Sequence, residues 1–352
     1  AMAAPDATGN IALVEYGGCN EWEKLDNIAK SGGVGAVVYN PAGGLTTIGV
    51  DWKEEPATIP AFMIPGPDGQ RLRQRLDGGQ AITAVLSPDF KGSLERDRLA
   101  DVISPFSSRG PSRGGQFKPD VAAPGSNIVA PAMGSGEKPV VAGVAALLIE
   151  RLRKDGLIPV DQPMSPAVGL GAQEVAAMLV NYADAKVWQD ANGGTAAPLA
   201  WGGSGRVNAF RTVRSDTIVT AGDIASFNYG IDAFDMVTED QREFNVKNLG
   251  GAPKHYKTAV HFMDPSDQGK VVEFWASKEM FTVQPKDYAT LNLHLRVTPD
   301  KLKPFTATGG QRVMVPGAGL NNAEYDAHLV VTEVDENGEP VPNGDVARVP
   351  IY

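Results

Sequence analysis

Residues 103–150 carry the sequence ISPFSSRGPSRGGQFKPDVAAPGSNIVAPAMGSGEKPVVAGVAALLIE, and the interpretation of the whole chain starts from them. The first half is rich in glycine and proline, which predicts a system of loops. It ends in a buried-looking run, Pro119–Gly125. The second half is apolar, and Val140–Arg153 predicts a helix. The stretch therefore predicts loops that lead into an apolar helix.

The composition of the whole chain fits a loop-rich protein of α/β and β structure. Glycine (40) and proline (26) are abundant in 352 residues, a length that suits two or three domains. The net charge of −10 argues against nucleic acid and anionic membranes as partners. No apolar run is long enough to span a bilayer, and no signal-peptide pattern is recognised at the N-terminus. Cys19 is the only cysteine, so no disulfide can form within the chain.

The N-terminal region, residues 1–88, has the pattern of a small α/β domain. The periodicity predicts strands at Ile11–Tyr16, Val34–Tyr39, Ile59–Ile64 and Ala81–Leu86, with helices at Cys19–Lys30 and from about Pro67 to Leu76. The turn Gly17-Gly18-Cys19, Lys24 and the run Val37–Asn40 resemble the protease-associated (PA) domain. That resemblance implies a non-catalytic domain that shapes substrate access or binds partners.

Four motifs in the next region resemble the subtilisin-like serine protease family. Phe106–Pro111, Lys118–Gly125 and Val141–Leu148 follow one another in the order found in that family. Trp201–Phe210 is similar to the family's closing glycine turn and last helix, and its glycines allow backbone positions with positive φ. The resemblance implies that residues 89–214 form the C-terminal part of an α/β catalytic domain. It also implies a secreted or cell-surface protein.

The family's nucleophile segment, Gly-Thr-Ser-Met-Ala-x-Pro, is absent between these motifs. Without gaps, Met133–Pro139 takes its place, and Ser135 then occupies the nucleophile position before a helix N-terminus. Free N–H groups there can help to hold an oxyanion. In a second alignment, which fits the residue types better, Asn127–Pro139 is the loop after the Ala-Pro-Gly motif. The nucleophile segment is then missing between about Pro139 and Val141. A natural pseudoprotease is the third interpretation.

The remaining members of a Ser-His-Asp triad are not predicted within this chain. The four histidines, His255, His261, His294 and His328, all lie in the C-terminal β region, and each is expected to face solvent from a strand. The resemblance places the triad Asp, the triad His and the oxyanion Asn before the PA domain, and therefore outside this chain.

No cofactor or metal site is predicted. Asp120 matches an Asp that lies near a weak cation site in some relatives, so the resemblance allows a structural calcium ion in the parent enzyme. A carboxylate satisfied by N–H groups of its own loop is the preferred interpretation. Arg71, Arg73 and Arg75 line one stretch of the second helix, which predicts a solvated face.

The C-terminal region, residues 215–352, changes from helical periodicity to alternation. Alternating runs at Arg242–Asn248, Thr290–Val297, Ala327–Val334 and Ala347–Tyr352 predict strands. Asn337-Gly338 marks a hairpin-like turn. Short alternating strands with turn signals predict a β-sandwich. Its place after the subtilisin-like region resembles the fibronectin-III-like domain of large secreted subtilases.

Two hypotheses of different classes follow for this multidomain α/β plus β chain. The first is a fragment of a secreted subtilisin-like serine endopeptidase that is inactive on its own. Its parent would cleave a protein or peptide substrate, and the N-terminal catalytic half could be a separate partner chain. The second is a non-catalytic, partner-binding module.

Overall fold

The computed structural model describes most of the chain in two compact units. The described residues are 6–18, 20–41, 59–86, 100–104, 106–112, 115–125, 140–161, 163–165, 169–189, 196–222, 224–230, 232, 234–269, 271–302 and 324–352. The first unit is Ala1–Glu95 and the second is Arg96–Tyr352. The division into three domains at residues 88 and 214 stays a prediction.

The first unit contains a three-stranded parallel sheet and two helices. In chain order the elements are β1 (Ile11–Glu15), α1 (Glu21–Lys30), β2 (Gly35–Tyr39), β3 (Ala61–Ile64) and α2 (Gly66–Asp77). The strands lie in the order β1-β2-β3. The central strand β2 is mostly buried, as its apolar run predicts. Helix α1 begins where the Asn20 side chain accepts a hydrogen bond from the Trp22 N–H, and it buries Leu25 and Ile28 against Ala36.

The strand predicted at Ala81–Leu86 is wrong, because these residues form no β-ladder with any part of the chain that the structure describes. Val85 is 84% exposed, so this part of the run is not packed as a buried strand would be. Periodicity alone cannot distinguish such a segment from a strand, since pairing depends on a neighbour that the local sequence does not specify.

The described residues of the second unit form four α-helices and two four-stranded sheets. The helices are α3 (Val140–Lys154), α4 (Ala172–Asn181), α5 (Leu199–Gly202) and α6 (Ala209–Arg214). The strands are β4 (Thr217–Ala221), β5 (Thr238–Asn248), β6 (Lys254–Phe262), β7 (Val272–Ala276), β8 (Met280–Val283), β9 (Tyr288–Val297), β10 (Ala327–Val334) and β11 (Val346–Ile351). One sheet has the order β11-β10-β6-β8 and the other β4-β5-β9-β7, with antiparallel pairing throughout both.

The alternation in the sequence selects the buried face of these strands. Phe244 and Val246 of β5 are fully buried, and so is Leu293 of β9. The predicted turn also forms, because the Gly338 N–H donates to the Asp335 carbonyl and Gly338 has a φ of 83°. Both sheets contribute side chains to one core, since a two-sheet packing needs its inner faces to interdigitate.

The same core extends from the sheets into helices α3 and α4. Leu148 and Leu152 of α3 and Met178 of α4 are completely buried in it. The described residues on both sides of position 214 therefore share one hydrophobic core. None of the helices in the described part of the chain has the length and apolar character that crossing a membrane requires.

Candidate functional site

The described residues include all four sequence motifs, and three of them contact one another: the loop at residues 106–112, residues 119–125 and the closing glycine turn. The first is the loop Phe106–Ser112, which we call the motif loop. The Gly110 N–H donates to the carbonyl of Ala200 in α5, over 2.7 Å. A Cβ at position 110 would lie 1.8 Å from the Lys118 carbonyl oxygen, so only glycine fits there. A cleft of about 490 Å³ opens beside this loop, between it and residues 118–121.

The second motif, residues 119–125, is held by the closing glycine turn. The Ser204 N–H donates to the Asp120 carbonyl over 2.9 Å, and the Ala122 N–H donates to the Gly205 carbonyl over 2.8 Å. Gly203 and Gly205 have φ values of 62° and 123°, as the glycine pattern predicts. A Cβ on Gly205 would lie 2.1 Å from the Asp184 carbonyl oxygen. Close backbone packing therefore fixes the path of the segment that precedes the nucleophile region.

The third motif is helix α3, which begins at Val140. The candidate nucleophile Ser135 lies outside the described residues, as does Pro139 at the start of the proposed missing segment. The structure therefore describes the segment that leads into this region and the helix that follows it. The choice between the two alignments stays open.

Three of the four histidines lie at least partly exposed on strands, and the fourth contradicts the prediction. His255 contacts the Thr282 hydroxyl through Nδ1 over 2.8 Å. The His294 ring stacks on Trp275 with centroids 5.3 Å apart. His261 lies on the exposed side of β6. His328, however, is only 4% exposed, so its predicted solvent-facing position is wrong.

His328 is buried because the outer face of its strand is covered. Strand β10 pairs with β11 and β6 on either side, and Ser204 of the glycine turn lies over the histidine. The pKa of His328 is lowered to about 3 in all. Burial is the largest cause and the Arg348 charge adds to it, while a hydrogen bond with the Ser204 backbone acts in the opposite direction. The ring is therefore neutral at physiological pH, and its Nε2 atom has no partner among the described residues.

The contacts of Asp120 also differ from the prediction. Its carboxylate accepts a hydrogen bond from Lys118 Nζ over 2.6 Å rather than from N–H groups of the loop. No cluster of three or more His, Cys, Asp or Glu side chains suited to a metal ion occurs within the described ranges. Arg71, Arg73 and Arg75 are exposed on α2, in agreement with a solvated face.

Two acidic residues of the β region contact the motif loop and helix α5, and the sequence pattern did not indicate these contacts. Arg109 Nη2 lies 2.6 Å from Glu324 Oε2, and the two side chains are only 13% and 12% exposed. Asp326 is buried as well, and its Oδ2 accepts a hydrogen bond from the Leu199 N–H over 2.6 Å. Burial raises the pKa of Asp326 to about 6, the Leu199 N–H lowers it, and the nearby Glu324 charge raises it.

In the first unit, Lys24 ties the end of β1 to the start of α1. Its Nζ donates to the carbonyls of Glu15 and Gly17, over 2.7 and 2.5 Å, and to the Glu21 carboxylate over 3.0 Å. The same carboxylate accepts a hydrogen bond from the Gly17 N–H over 2.8 Å. Lys24 therefore has a structural role at this turn, which the sequence pattern alone did not specify.

Comparisons with known proteins agree with both sets of motifs. A PA domain model matches residues 1–72. The minor extracellular protease Vpr of Bacillus subtilis is 25% identical over 94% of this chain and 38% of its own length. The subtilisin-like protease SBT1.6 of Arabidopsis thaliana is 27% identical over 65% of this chain and 32% of its own length.

The C5a peptidase of Streptococcus pyogenes is 30% identical over 41% of this chain and 12% of its own length. These matches support the resemblance to the subtilisin-like protease family with a PA domain. The chain spans 38% or less of the length of these three relatives. Among solved structures, a FixG-related protein from Vibrio parahaemolyticus is 14% identical and matches 39% of this chain and 93% of its own chain. The TM-score of 0.21 is too low to indicate a shared fold.

Proposed function

We propose that this chain is the C-terminal part of a secreted subtilisin-like serine endopeptidase, whose triad Asp and His and oxyanion Asn are supplied from outside it. The peptide bond would be cleaved through an acyl-enzyme formed on the nucleophile serine. The PA domain would control access of the protein or peptide substrate. The two-sheet region would be the fibronectin-III-like domain of such enzymes. The extracellular location in the name of the Vpr relative supports secretion.

The observation that carries the proposal is the exposed apolar face of helix α3. Val144, Leu148 and Leu152 are buried on one side. On the other side Leu147 is 53% exposed, and Ala142, Gly143 and Ala146 are exposed too. The first ten residues of α3, Val140–Ile149, are apolar on all sides, a pattern that is typical of a helical segment buried on every side.

A cleft continues this apolar surface. It has a volume of about 510 Å³ and is lined by Ala146, Ile149 and Val160 and by side chains at the C-terminal end of α3. Covering a leucine fully contributes roughly 1.5–3 kcal/mol, so a surface of this kind favours a partner. The occupant we propose is the N-terminal half of the catalytic domain, because α3 follows the nucleophile region and the chain spans only 38% of the Vpr relative.

Active-site labelling with a fluorophosphonate tests the proposal. The chain alone is expected not to react, because the Asp and His that would activate its serine are proposed to lie outside it. After mixing with the N-terminal catalytic half, reaction at Ser135 would support the ungapped alignment, and Ser135→Ala should abolish it while Ser266→Ala should not. No reaction in the mixture would speak against the proposed function or for the alignment in which the nucleophile segment is missing.

Labelling of the chain alone, abolished by Ser135→Ala, would contradict the placement of the triad partners outside it. The second hypothesis, a non-catalytic partner-binding module, predicts a different outcome. The mixture would then bind a peptide stably and return it uncleaved. Mass analysis of the recovered peptide separates the two functions.

A further inference from the structure

Among the described residues of the C-terminal β region, the short segment Glu324–Asp326 contacts both the motif loop and helix α5. Glu324 forms the largely buried ion pair with Arg109, which lies 215 residues earlier in the chain. Two residues later, Asp326 accepts the hydrogen bond from the Leu199 N–H at the start of α5. The segment is itself anchored to the β region, because the Asp326 carbonyl accepts from the Met263 N–H over 2.9 Å and β10 begins at the next residue.

Through the motif loop and α5, the contacts of Glu324 and Asp326 reach residues 119–125, the segment that leads into the nucleophile region. The motif loop and α5 are joined by the Gly110 N–H to Ala200 carbonyl bond and by Trp201 Nε1, which donates to the Ser107 carbonyl over 3.2 Å. The glycine turn that follows α5 in turn holds residues 119–125. A displacement of the motif loop or of α5 would therefore displace the chain that precedes residue 126.

The ion pair is unsuited to a role in stability alone. Replacing a buried ion pair by apolar residues of similar volume is often neutral or stabilising, because desolvation of the two charges offsets their attraction. A directed contact between two charged groups does fix the relative position of the segments that carry them. Not every polar atom of the pair is satisfied, since Arg109 Nε and Glu324 Oε1 have no hydrogen-bond partner in the described part of the protein. Unsatisfied atoms of this kind agree with a positioning role rather than with a role in stability alone.

We propose that Glu324–Asp326 is a clamp by which the β region positions the motif loop, α5 and residues 119–125, with Arg109, Glu324 and Asp326 as positioning residues. Its relevance to peptide hydrolysis rests on the proposed function. The β region is then part of the unit that forms the active site rather than an appended module.

Amide hydrogen exchange of this chain tests the clamp directly. In the double variant Arg109→Met/Glu324→Leu, the amides of Gly110, Ala122 and Ser204 should exchange about tenfold faster or more, since they report the contacts between the loops. The Val219 amide, which donates to the buried Asn181 side chain over 2.9 Å, serves as the reference for unfolding of the core.

A matched control removes an exposed ion pair instead. Lys154 and Glu150 lie 2.7 Å apart with side chains 73% and 59% exposed, and the variant Lys154→Met/Glu150→Leu should leave all four amides unchanged. The clamp is contradicted if the three loop amides keep their exchange rates in the Arg109/Glu324 variant. It is equally contradicted if they accelerate only in parallel with Val219, because that pattern indicates loss of global stability.

Labelling in the presence of the N-terminal catalytic half separates the clamp from the proposed function. Where the wild-type complex reacts, the double variant should react about tenfold more slowly with the reference amide unchanged, and an unchanged rate contradicts a positioning role in catalysis. Where the wild-type complex does not react, the labelling speaks against the proposed function or for a missing nucleophile. The exchange comparison alone then decides whether the clamp exists.

Discussion

Asp326 and His328 lie two residues apart and shift the stability of the second unit in opposite directions as the pH changes. His328 has a folded pKa of about 3, below its ordinary value of 6.5. Its contribution to stability is therefore present above pH 6.5 and is lost as the pH falls towards 3. Asp326 has a folded pKa of about 6, above its ordinary value of 3.8. Its contribution is present below pH 3.8 and is lost as the pH rises through 6.

The two effects offset each other in the wild-type protein, and the variant Asp326→Asn removes one of them. The asparagine oxygen can still accept the hydrogen bond from the Leu199 N–H, but it does not titrate. As the pH falls from about 6 to about 5, the contribution of Asp326 to the free energy of unfolding rises by about 1 kcal/mol, and the contribution of His328 falls by a similar amount. The variant should therefore lose about 1 kcal/mol more than the wild type over this range.

Urea unfolding at several pH values measures this difference. Circular dichroism follows the sheets, and each free energy is obtained by linear extrapolation. Asp77→Asn is the control, because Asp77 is an exposed carboxylate of the first unit. Parallel pH profiles for the wild type and Asp326→Asn would refute the reasoning. A second variant, His328→Gln, should show the opposite difference and retain more stability than the wild type as the pH falls.

Two further predictions concern local geometry. Gly205→Ala should destabilise the second unit by roughly 2 kcal/mol or more, because a Cβ there would overlap the Asp184 backbone, whereas Gly156→Ala, with open space around it, should cost about 1 kcal/mol. Thermal or urea unfolding measures both, and equal costs would contradict the packing argument. Lys24→Met should destabilise the first unit by about 1–3 kcal/mol, because the buried Glu21 carboxylate loses its charged partner. The exposed Arg71→Met serves as its control, and an unchanged melting profile for Lys24→Met would contradict the role of the lysine.

Local patterns in the sequence predicted most of the elements. The alternation of Leu291, Leu293 and Leu295 determined the buried face of β9, and the apolar run after Pro139 predicted helix α3. These predictions succeed because the period of a strand or helix is written into neighbouring residues. The prediction of a strand at Ala81–Leu86 fails because strand formation also needs a partner, and no described strand pairs with this segment.

Contacts between distant segments could not be predicted in the same way. His328 occupies an outward position on β10, and only the tertiary structure brings Ser204 over it. The partners Arg109 and Glu324 are 215 residues apart, and the sequence around each of them does not indicate that they pair. The ion pair at the clamp and the neutral state of His328 therefore depend on tertiary packing. The periodicity of a single sequence does not predict that packing.

The exposed face of α3 offers the most direct test of the account as a whole. Sedimentation velocity of an equimolar mixture of this chain and the N-terminal catalytic half should show one complex. Leu147→Glu, on the exposed face, should prevent association and leave the chain folded, because this side chain is 53% exposed in the chain itself. Two independently sedimenting species with the wild-type chain, or unimpaired association with Leu147→Glu, would contradict the central claim that α3 is covered by the other half of the catalytic domain.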